Sequence, residues 1–546
     1  MNLANRTLLV LAAAFGFAAQ AGAEPVRITI LHTNDHHGRF WRNADQEYGM
    51  AARKRLVDEV RAEVKAQGGH VLLLDGGDVN TGVPESDLQQ AEPDFRGMSA
   101  IGYDAMAVGN HEFDRTPAVM RRQRLEWSTF PWLSANVYQG GRRMFLPYRI
   151  FRLGTVRVAV LGLTTEDTMK TLSRQRFPGV EVRAPAGEAA KLVPRLRRKA
   201  DVVVAATHMG HYVDGRHGVS APGDVELARA VPGIDLIVGG HSQNPVCMLD
   251  AQHRNDDYQP GDPCAPDRQN GAWIVQAWEW GKYVGRADFE YEAGRFSLVR
   301  YALLPVNLMK RGTGPDGRPV KLPPETRTEE DAGLLALLGP YQRKGADKLL
   351  VPVGRLDDGF DGERRNVRSR PTHLGRLVTA SMIDRTGADL ALVSGGGIRD
   401  SLPAGEVNYG HLLRVLPFGN HVVVVTLSGE QLETYLRAAL RMTPGSGAYA
   451  QTTGVSAAME GNEPKQLRVQ GRPIDPARRY RLALSSFIAR GGDGYPAFSR
   501  QEIDDTGFTD VEVLRGFIAA RPGLSTRDFE PDRDAATESA ASPASR

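Results

Sequence analysis

The sequence predicts a mixed α/β (α+β) fold divided into two domains. The chain has 546 residues, 41% of them hydrophobic, which is more than one hydrophobic core usually holds. From Val26 to about Val306, and again from about Val351 to Phe529, short β-branched apolar runs alternate with amphipathic stretches. This alternation is typical of strands and helices that interleave along the chain. We therefore expect one such domain on each side of a connecting segment.

The first 23 residues predict a secretory signal peptide. A start containing Arg6 precedes the apolar run Leu8–Ala19, and the small residues Ala21, Gly22 and Ala23 precede Glu24. The alternatives are a membrane anchor or a buried helix, but the run is short for a bilayer and no second run follows it. We expect export, cleavage after Ala23, and a mature protein without membrane attachment.

The first domain is expected to span residues 24–328. A helix is predicted at Tyr48–Gln67, and strands are predicted at Val26–Leu31, His70–Leu74, Ala105–Val108, Val156–Leu161, Val202–Ala206 and Ile234–Val238. Proline, glycine and charged residues dominate Lys310–Thr328, which is more typical of a linker than of a core element.

A bridging helix is predicted at residues 329–350, where Leu334, Leu335, Leu337 and Leu338 recur at helical spacing. The second domain should then span residues 351–531, with strands at Leu390–Ser394, His421–Leu427 and Tyr480–Ser485. Residues 532–546 are rich in Ala, Ser, Asp and Glu and contain no aromatic residue, so we expect a disordered tail.

Composition excludes some classes of function. Charged residues make up 24% of the chain and the formal net charge is +3, which argues against a disordered chain and against a coat for nucleic acid polymers. The two cysteines, Cys247 and Cys264, share one polar segment. In an exported chain such a pair usually forms a disulfide. A metal role is the weaker alternative, because no further Cys or His completes a zinc site at the usual spacing.

Residues of metal-ligand type follow five of the predicted strands. They are Asp35 and His37, Asp78, Asn110 with His111, His208, and His241 with Gln243. Each alone has a structural alternative, as a turn residue, a helix cap or a hydrogen-bonded histidine. Together they predict one site, because the carboxyl ends of strands in α/β sheets form the crevice that binds ligands. Adjacent glycines, as in Gly76-Gly77-Asp78 and Gly239-Gly240-His241, permit tight backbone paths.

This ligand set predicts two divalent metal ions. Carboxylate, imidazole and amide groups without thiolate suit zinc or manganese, with cobalt a further choice, and argue against copper or iron–sulfur sites. Asp78 can bridge two ions, since a carboxylate offers an oxygen to each. Two such ions can hold a hydroxide between them and clamp the attacking and leaving oxygens of a displacement at phosphorus.

Several motifs resemble a known family. Asp35-His36-His37, Gly77-Asp78 and Gly109-Asn110-His111-Glu112 are similar to the opening motifs of calcineurin-like metallophosphoesterases. Thr207-His208-Met209-Gly210 and Gly240-His241-Ser242-Gln243 narrow the resemblance to the 5′-nucleotidase branch, whose bacterial members include periplasmic UDP-sugar hydrolases. The stretch Gly82-Val83-Pro84-Glu85-Ser86-Asp87-Leu88 and the Cys247/Cys264 pair add to it. The likeness runs from Val26 to about Pro531.

The resemblance implies roles for individual residues and a fold. It implies an N-terminal β-sandwich flanked by helices and a C-terminal α/β domain that binds substrate. Asp35, His37, Asp78 and Gln243 would hold one metal, and Asp78, Asn110, His208 and His241 the other. The wider superfamily often has His in place of Gln243, and an amide is the weaker ligand. His111 would stabilise the transition state, with Asp114 orienting its ring.

The second domain contains candidate phosphate ligands, namely Arg364, Arg368 and Arg399, the last of which follows Gly395-Gly396-Gly397. Arginine forks bind phosphate oxygens in bidentate fashion. The alternative is a solvated arginine surface. Phe418 and Phe487 lie in loops flanked by small and polar residues, where they either sandwich a base or belong to the core. The resemblance favours base stacking, with Asn420 and Asp493 reaching base and ribose.

We therefore expect an exported, monomeric hydrolase of small nucleotides that acts in the periplasm. The resemblance further implies that the second domain rotates about the bridging helix. The enzyme would cleave 5′-nucleotides to nucleoside and phosphate, and UDP-sugars to UMP and sugar 1-phosphate. One alternative is a related two-metal hydrolase of cyclic nucleotides or sulfur esters. Another is a non-catalytic nucleotide-binding protein.

Overall fold

The computed structural model describes residues 25–172, 176–212, 221–315, 318–344, 349–499 and 502–531. The predicted signal peptide and tail lie outside these ranges. The strands that precede the second domain are β1 Val26–Thr33, β2 His70–Asp75, β3 Ala105–Ala107, β4 Trp132–Leu133, β5 Val137–Gln139, β6 Arg142–Arg143, β7 Tyr148–Leu153, β8 Val156–Thr164, β9 Val180–Val182, β10 Val202–His208, β11 Leu236–Val238, β12 Asp267–Gln269, β13 Ala272–Val275, β14 Tyr283–Glu292, β15 Arg295–Pro305, β16 Lys310–Thr313 and β17 Pro319–Leu322. The helices of the same part are α1 Met50–Ala66, α2 Pro84–Asp87, α3 Glu92–Ile101, α4 Pro117–Arg122, α5 Thr168–Thr171, α6 Pro185–Leu196 and α7 Asp224–Ala230.

Two six-stranded sheets form a sandwich, as the resemblance implied. Their strand orders are β15-β14-β1-β2-β3-β4 and β12-β13-β11-β10-β8-β7. Alternate residues of each strand point to opposite faces. Val202 and Val204 of β10 therefore pack between the sheets, whereas Val203 and Ala205 pack outward against α6. On the other side, α1 packs against the first sheet through Val57, Val60 and Val64.

The strands that matter for the site run parallel. β1, β2 and β3 are parallel neighbours in the first sheet, and β8, β10 and β11 are parallel neighbours in the second. Their carboxyl ends therefore lie at one edge of each sheet. The predicted positions of these strands agree with the structure to within three residues at each end.

The connecting segment differs from the prediction. Within Lys310–Thr328, which was expected to be a linker, β16 and β17 pair as an antiparallel hairpin. The next helix is α8, Ala332–Arg343, shorter than the predicted 329–350, and residues 345–348 lie outside the described ranges. Asp331 caps α8 by accepting a hydrogen bond from the Leu334 amide, and Leu334 and Leu338 are buried.

The second domain contains a mixed five-stranded sheet of order β22-β19-β26-β21-β27. Its strands are β18 Pro352–Leu356, β19 Leu390–Ser394, β20 Gly405–Asn408, β21 His421–Ser428, β22 Ala450–Thr453, β23 Val455–Glu460, β24 Glu463–Val469, β25 Arg472–Pro473, β26 Arg479–Ser485 and β27 Ile503–Thr509. Its helices are α9 Arg364–Val367, α10 His373–Thr386, α11 Tyr409–Val415, α12 Gly429–Leu440, α13 Ser486–Ala489 and α14 Asp510–Ala519. Helices α10 and α14 cover one face of the sheet and α12 covers the other.

The disulfide prediction is confirmed. Cys247 and Cys264 are bonded, with their Cα atoms 4.6 Å apart, and they close a loop that follows β11. In the part of the chain that the structure describes, none of the helices is long and apolar enough to cross a membrane.

Candidate active site

The predicted metal ligands come together between the two sheets. Asp35, Asp78 and Asn110 follow β1, β2 and β3 of the first sheet, while His208 ends β10 and His241 follows β11 of the second. The sandwich turns the carboxyl ends of both strand sets toward one cleft, so residues far apart in sequence lie within hydrogen-bond distance. The Asp35 carboxylate, for example, accepts from the amide of His241 at 2.9 Å.

A first cluster surrounds His37. Its Nε2 lies 3.8 Å from Asp35 Oδ1, 3.9 Å from Asp78 Oδ2 and 2.5 Å from the amide nitrogen of Gln243. Its Nδ1 donates to the carbonyl of Thr81 at 2.7 Å. That hydrogen bond leaves the Nε2 lone pair facing the cluster, which is the arrangement of a metal-ligating histidine. Burial lowers the pKa of His37 well below its usual value, which favours the neutral ring that ligation requires.

A second cluster surrounds His208. Its Nδ1 donates to the carbonyl of Gly76 at 2.7 Å, and its Nε2 lies 2.9 Å from Asp78 Oδ2 and 3.2 Å from Asn110 Oδ1. His241 Nδ1 lies 3.0 Å from the same Asn110 oxygen. Asp78 therefore belongs to both clusters, as expected of a carboxylate that bridges two ions.

The residues fit divalent metal ions. Asp35 Oδ1 is buried and has no hydrogen-bond partner among the described residues, although an ionised oxygen there needs a donor or a cation. Ligand atoms of Asp78, His208 and His241 lie within 4.8 Å of one another, as do those of His37, Asp78 and His111. The donors are oxygen and imidazole nitrogen, which suits hard or borderline divalent ions.

The backbone of the site is strained. Five of the seven predicted ligands have positive φ, at Asp35 (50°), His37 (50°), Asp78 (61°), His241 (77°) and Gln243 (53°). For a residue other than glycine this conformation costs roughly 1–2 kcal/mol, and such strain is concentrated at functional sites. Neighbouring glycines make room, since a Cβ on Gly109 would lie 2.2 Å from Asp78 Oδ1.

Sequence reasoning missed the role of Glu112. Its carboxylate is buried and accepts hydrogen bonds from the amides of Gly109 (2.8 Å), Val79 (2.9 Å) and Asp78 (3.1 Å). It thereby ties the loop after β2 to the loop after β3. The signal in the sequence was a carboxylate directly after Gly109-Asn110-His111. Two of its three partners here, Asp78 and Val79, lie more than 30 residues away in sequence.

His111 lies beside the metal ligands, but the hydrogen bond of its ring goes to Asp114, which is not one of them. Its Nδ1 is 2.7 Å from Asp114 Oδ2, its Nε2 is 3.9 Å from Asp78 Oδ2, and its side chain is 13% exposed. Burial opposes the charged ring, but Asp114 and Asp78 outweigh it, so the pKa of His111 lies above its usual value. A ring held this way can donate from Nε2 into the cleft.

The second domain contacts the same cleft. The ring of Phe418 stacks against His111, with centroids 5.8 Å apart and planes 18° apart, and the Arg399 guanidinium lies 5.6 Å from the Phe418 centroid. Arg364 donates to the Gln243 side chain. Burial and the charges of Arg364 and Arg399 lower the pKa of Arg368 well below its usual value, which indicates crowded cations that an anion would relieve.

The remaining predicted substrate ligands share one edge of the C-terminal sheet. Asn420 precedes β21 and Phe487 follows β26, and these strands pair antiparallel with Val422 opposite Ser485. β19 runs parallel to β26, so the turn that leads to Arg399 lies at the same edge. Asp493 occupies a left-handed turn with φ 54°. The charge of Asp493 acts on the pKa of Arg368, so Asp493 lies near the arginines.

Two protein families match successive parts of this chain. Residues 28–245 match the calcineurin-like phosphoesterases, and residues 352–500 match the 5′-nucleotidase C-terminal domain. Protein UshA of Escherichia coli is 51% identical over 512 residues, which cover 92% of this chain and 93% of that protein. The chain belongs to the 5′-nucleotidase family of metallophosphoesterases.

Two further members support the family's fold and extent. A 5′-nucleotidase of Vibrio cholerae is 47% identical over 92% of both chains. The crystal structure of a 5′-nucleotidase precursor from Thermus thermophilus superposes with a TM-score of 0.74 at 29% identity and covers 92% of this chain. As a member of this family the chain is a metal-dependent hydrolase, and the two clusters described above are its candidate groups for binding divalent ions.

Proposed function

We propose that this enzyme hydrolyses 5′-nucleotides to nucleosides and phosphate, and UDP-sugars to UMP and sugar 1-phosphate. The proposal is carried by one observation: residues suited to bind metal ions and residues suited to bind a nucleotide line the same cleft. A donor set for two metals lies in the first domain, and arginines with a stacking aromatic ring approach it from the second. A nucleotide presents both an anionic phosphate and a flat base, and so matches both halves.

The metal ligands divide into two sets in this proposal. Asp35, His37, Asp78 and Gln243 hold one ion, and Asp78, Asn110, His208 and His241 hold the other. When bound, two divalent ions lower the pKa of water and neutralise charge on the phosphoryl group. Buried hydrogen bonds to Thr81 and Gly76 hold the two key imidazoles in the ligating tautomer, which supports the assignment.

The chain's own residues then bind and orient the substrate. Arg364, Arg368 and Arg399 hold phosphate oxygens, and Phe418 with Phe487 stacks the base. Asn420 hydrogen-bonds the base and Asp493 the ribose. His111 donates from Nε2 to a phosphoryl oxygen as negative charge develops on it, and Asp114 accepts from Nδ1 to fix the ring.

We propose zinc, manganese or cobalt as the metals, and a monomer as the working state. The chain divides into residues 24–328, 329–350 and 351–531, with the second domain turning about the middle segment. Residues 1–23 would direct export, and the mature enzyme would act in the periplasm without attachment to the membrane and without binding nucleic acid polymers.

Purified enzyme, stripped with a chelator and reloaded with one metal at a time, tests the proposal. Release of phosphate from AMP and of glucose 1-phosphate from UDP-glucose is expected with at least one of the three metals and not with chelated enzyme. A cyclic nucleotide serves as the competing substrate. Faster turnover of the cyclic nucleotide than of AMP would contradict the proposal.

A further inference from the structure

Helix α2 belongs to the stretch Gly82–Leu88, to which the proposed function assigns no role. Three consecutive side chains of this helix contact three different parts of the molecule. Glu85 contacts the second domain, Ser86 contacts Asp94 of α3, and Asp87 contacts the loop that follows His111.

Two of these contacts fix α2 to the active site. Ser86 Oγ donates to Asp94 Oδ2 at 2.5 Å, and Asp94 Oδ1 lies 2.9 Å from Nε2 of His36. Asp87 pairs with Arg115, which directly follows Asp114 in sequence. Ser86, Asp94 and His36 are buried, and His36 lies between the predicted ligands Asp35 and His37, so this chain of contacts links α2 to the first metal cluster.

Glu85 faces the other domain. Its Oε1 accepts from Nη2 of Arg414 at 3.2 Å, and the two side chains are 16% and 33% exposed. Arg414 lies in α11, which ends at Val415, directly before the loop that carries Phe418. The pair therefore joins an element fixed to the metal loops with the element that positions the stacking ring.

The connecting helix contacts α2 as well. The side-chain amide of Gln89 donates to the carbonyl of Glu85 at 2.7 Å and to the carbonyl of Tyr341 in α8 at 2.9 Å. The segment from α2 to Gln89 thus contacts the second domain through Glu85 and helix α8 through Gln89.

We propose that Glu85 is a positioning residue for base-bearing substrates. Its ion pair with Arg414 sets Phe418 at the distance from His111 at which a stacked base leaves its phosphate over the metal ligands. The inference rests on the proposed function, since it assumes that Phe418 stacks a base. A small phosphate ester without a base does not need this alignment.

Charge substitutions test the proposal. In Glu85→Gln the KM for AMP is expected to rise about 2–5-fold, the range for one partly exposed ion pair, while the KM for an aryl phosphate stays unchanged. Glu85→Arg and Arg414→Glu, which place like charges together, should each raise the KM for AMP further. The double variant Glu85→Arg/Arg414→Glu should recover most of the loss, because it restores an opposite pair.

Glu59→Gln is the matched control, since Glu59 pairs with Arg55 on the exposed face of α1 and should change neither KM. Thermal unfolding of every variant checks that the fold is intact. Additive losses in the double variant, or equal KM changes for AMP and the aryl phosphate, would overturn the role of Glu85. Wild-type enzyme that cleaves the aryl phosphate but not AMP would instead overturn the proposed function.

Discussion

Replacement of His111 by Asn removes one proposed hydrogen-bond donor to the reacting phosphoryl group and little else. The backbone amide of residue 111 still donates to Asp78 Oδ1 at 2.8 Å, so the loop keeps its link to the metal ligands. Loss of one preorganised donor lowers kcat by about 10²–10³-fold, or about 2.7–4 kcal/mol. We expect that loss in kcat with metal content retained and KM for AMP nearly unchanged.

Asp114→Asn should have the same effect more mildly. The ring of His111 keeps its stacking contact with Phe418, but it loses the carboxylate that fixes its orientation and that favours its protonated, donating form. A matched control is His253→Asn, because His253 also pairs with an aspartate three residues away, yet its side chain is 74% exposed on the surface. That control should retain full kcat.

The assay combines metal analysis with steady-state kinetics on the same preparations. His37, Asp78 and His111 place ligand atoms within 4.8 Å of one another, so His111 as a metal ligand is the competing explanation. If His111→Asn loses metal in proportion to its loss of activity, His111 is a ligand and the reasoning above is refuted.

Three further substitutions have defined outcomes. Asp78→Ala should lose both metals and nearly all turnover, since Asp78 belongs to both clusters, and full metal stoichiometry at normal rate would contradict the dinuclear assignment. Phe418→Ala should raise the KM for nucleotides by a factor that corresponds to the loss of one base stack, about 1–3 kcal/mol, and should raise the KM for an aryl phosphate less. Equal increases in both KM values would show that Phe418 has a structural role. Burial raises the pKa of Asp510 to about 7, so its protonated form stabilises the fold below about pH 4 and this contribution is lost as the pH rises toward 7. Asp510→Asn should therefore gain stability relative to the wild type between about pH 5 and pH 8 in denaturant titrations, and a constant difference would show that Asp510 is ionised in the folded state.

The strands that end in ligands could be predicted from the sequence because each signal is local. Val202–Ala206, for example, is a continuous apolar run that is followed by Thr207 and His208, and a buried parallel strand has such an apolar run. The proximity of Asp35 and His241 could be predicted from the general rule that ligands bind at the carboxyl ends of strands in α/β sheets. The sequence indicated no specific contact between these two residues. The disulfide followed from export and from the presence of only two cysteines.

Other features could not be predicted because they depend on partners distant in sequence. The hairpin of β16 and β17 was missed because its proline, glycine and charged residues resemble a linker, although strand pairing uses only backbone groups there. Nothing in the local sequence distinguishes Glu112 and Glu85 from glutamates that are exposed on the surface. Their partners are the Val79 amide, 33 residues away, and Arg414, 329 residues away, and local patterns do not encode such distances.

The left-handed backbone at the metal ligands affects how this enzyme can be engineered. Glycine adopts positive φ without the steric cost that Asp35 or Asp78 bears, so replacement by glycine would relieve strain in the metal-free fold. A library selected only for thermal stability in the presence of a chelator would therefore enrich glycine at the positions where the chemistry needs a ligand. Selection for stability and selection for catalysis diverge at these positions, and a thermostabilisation campaign should hold them constant.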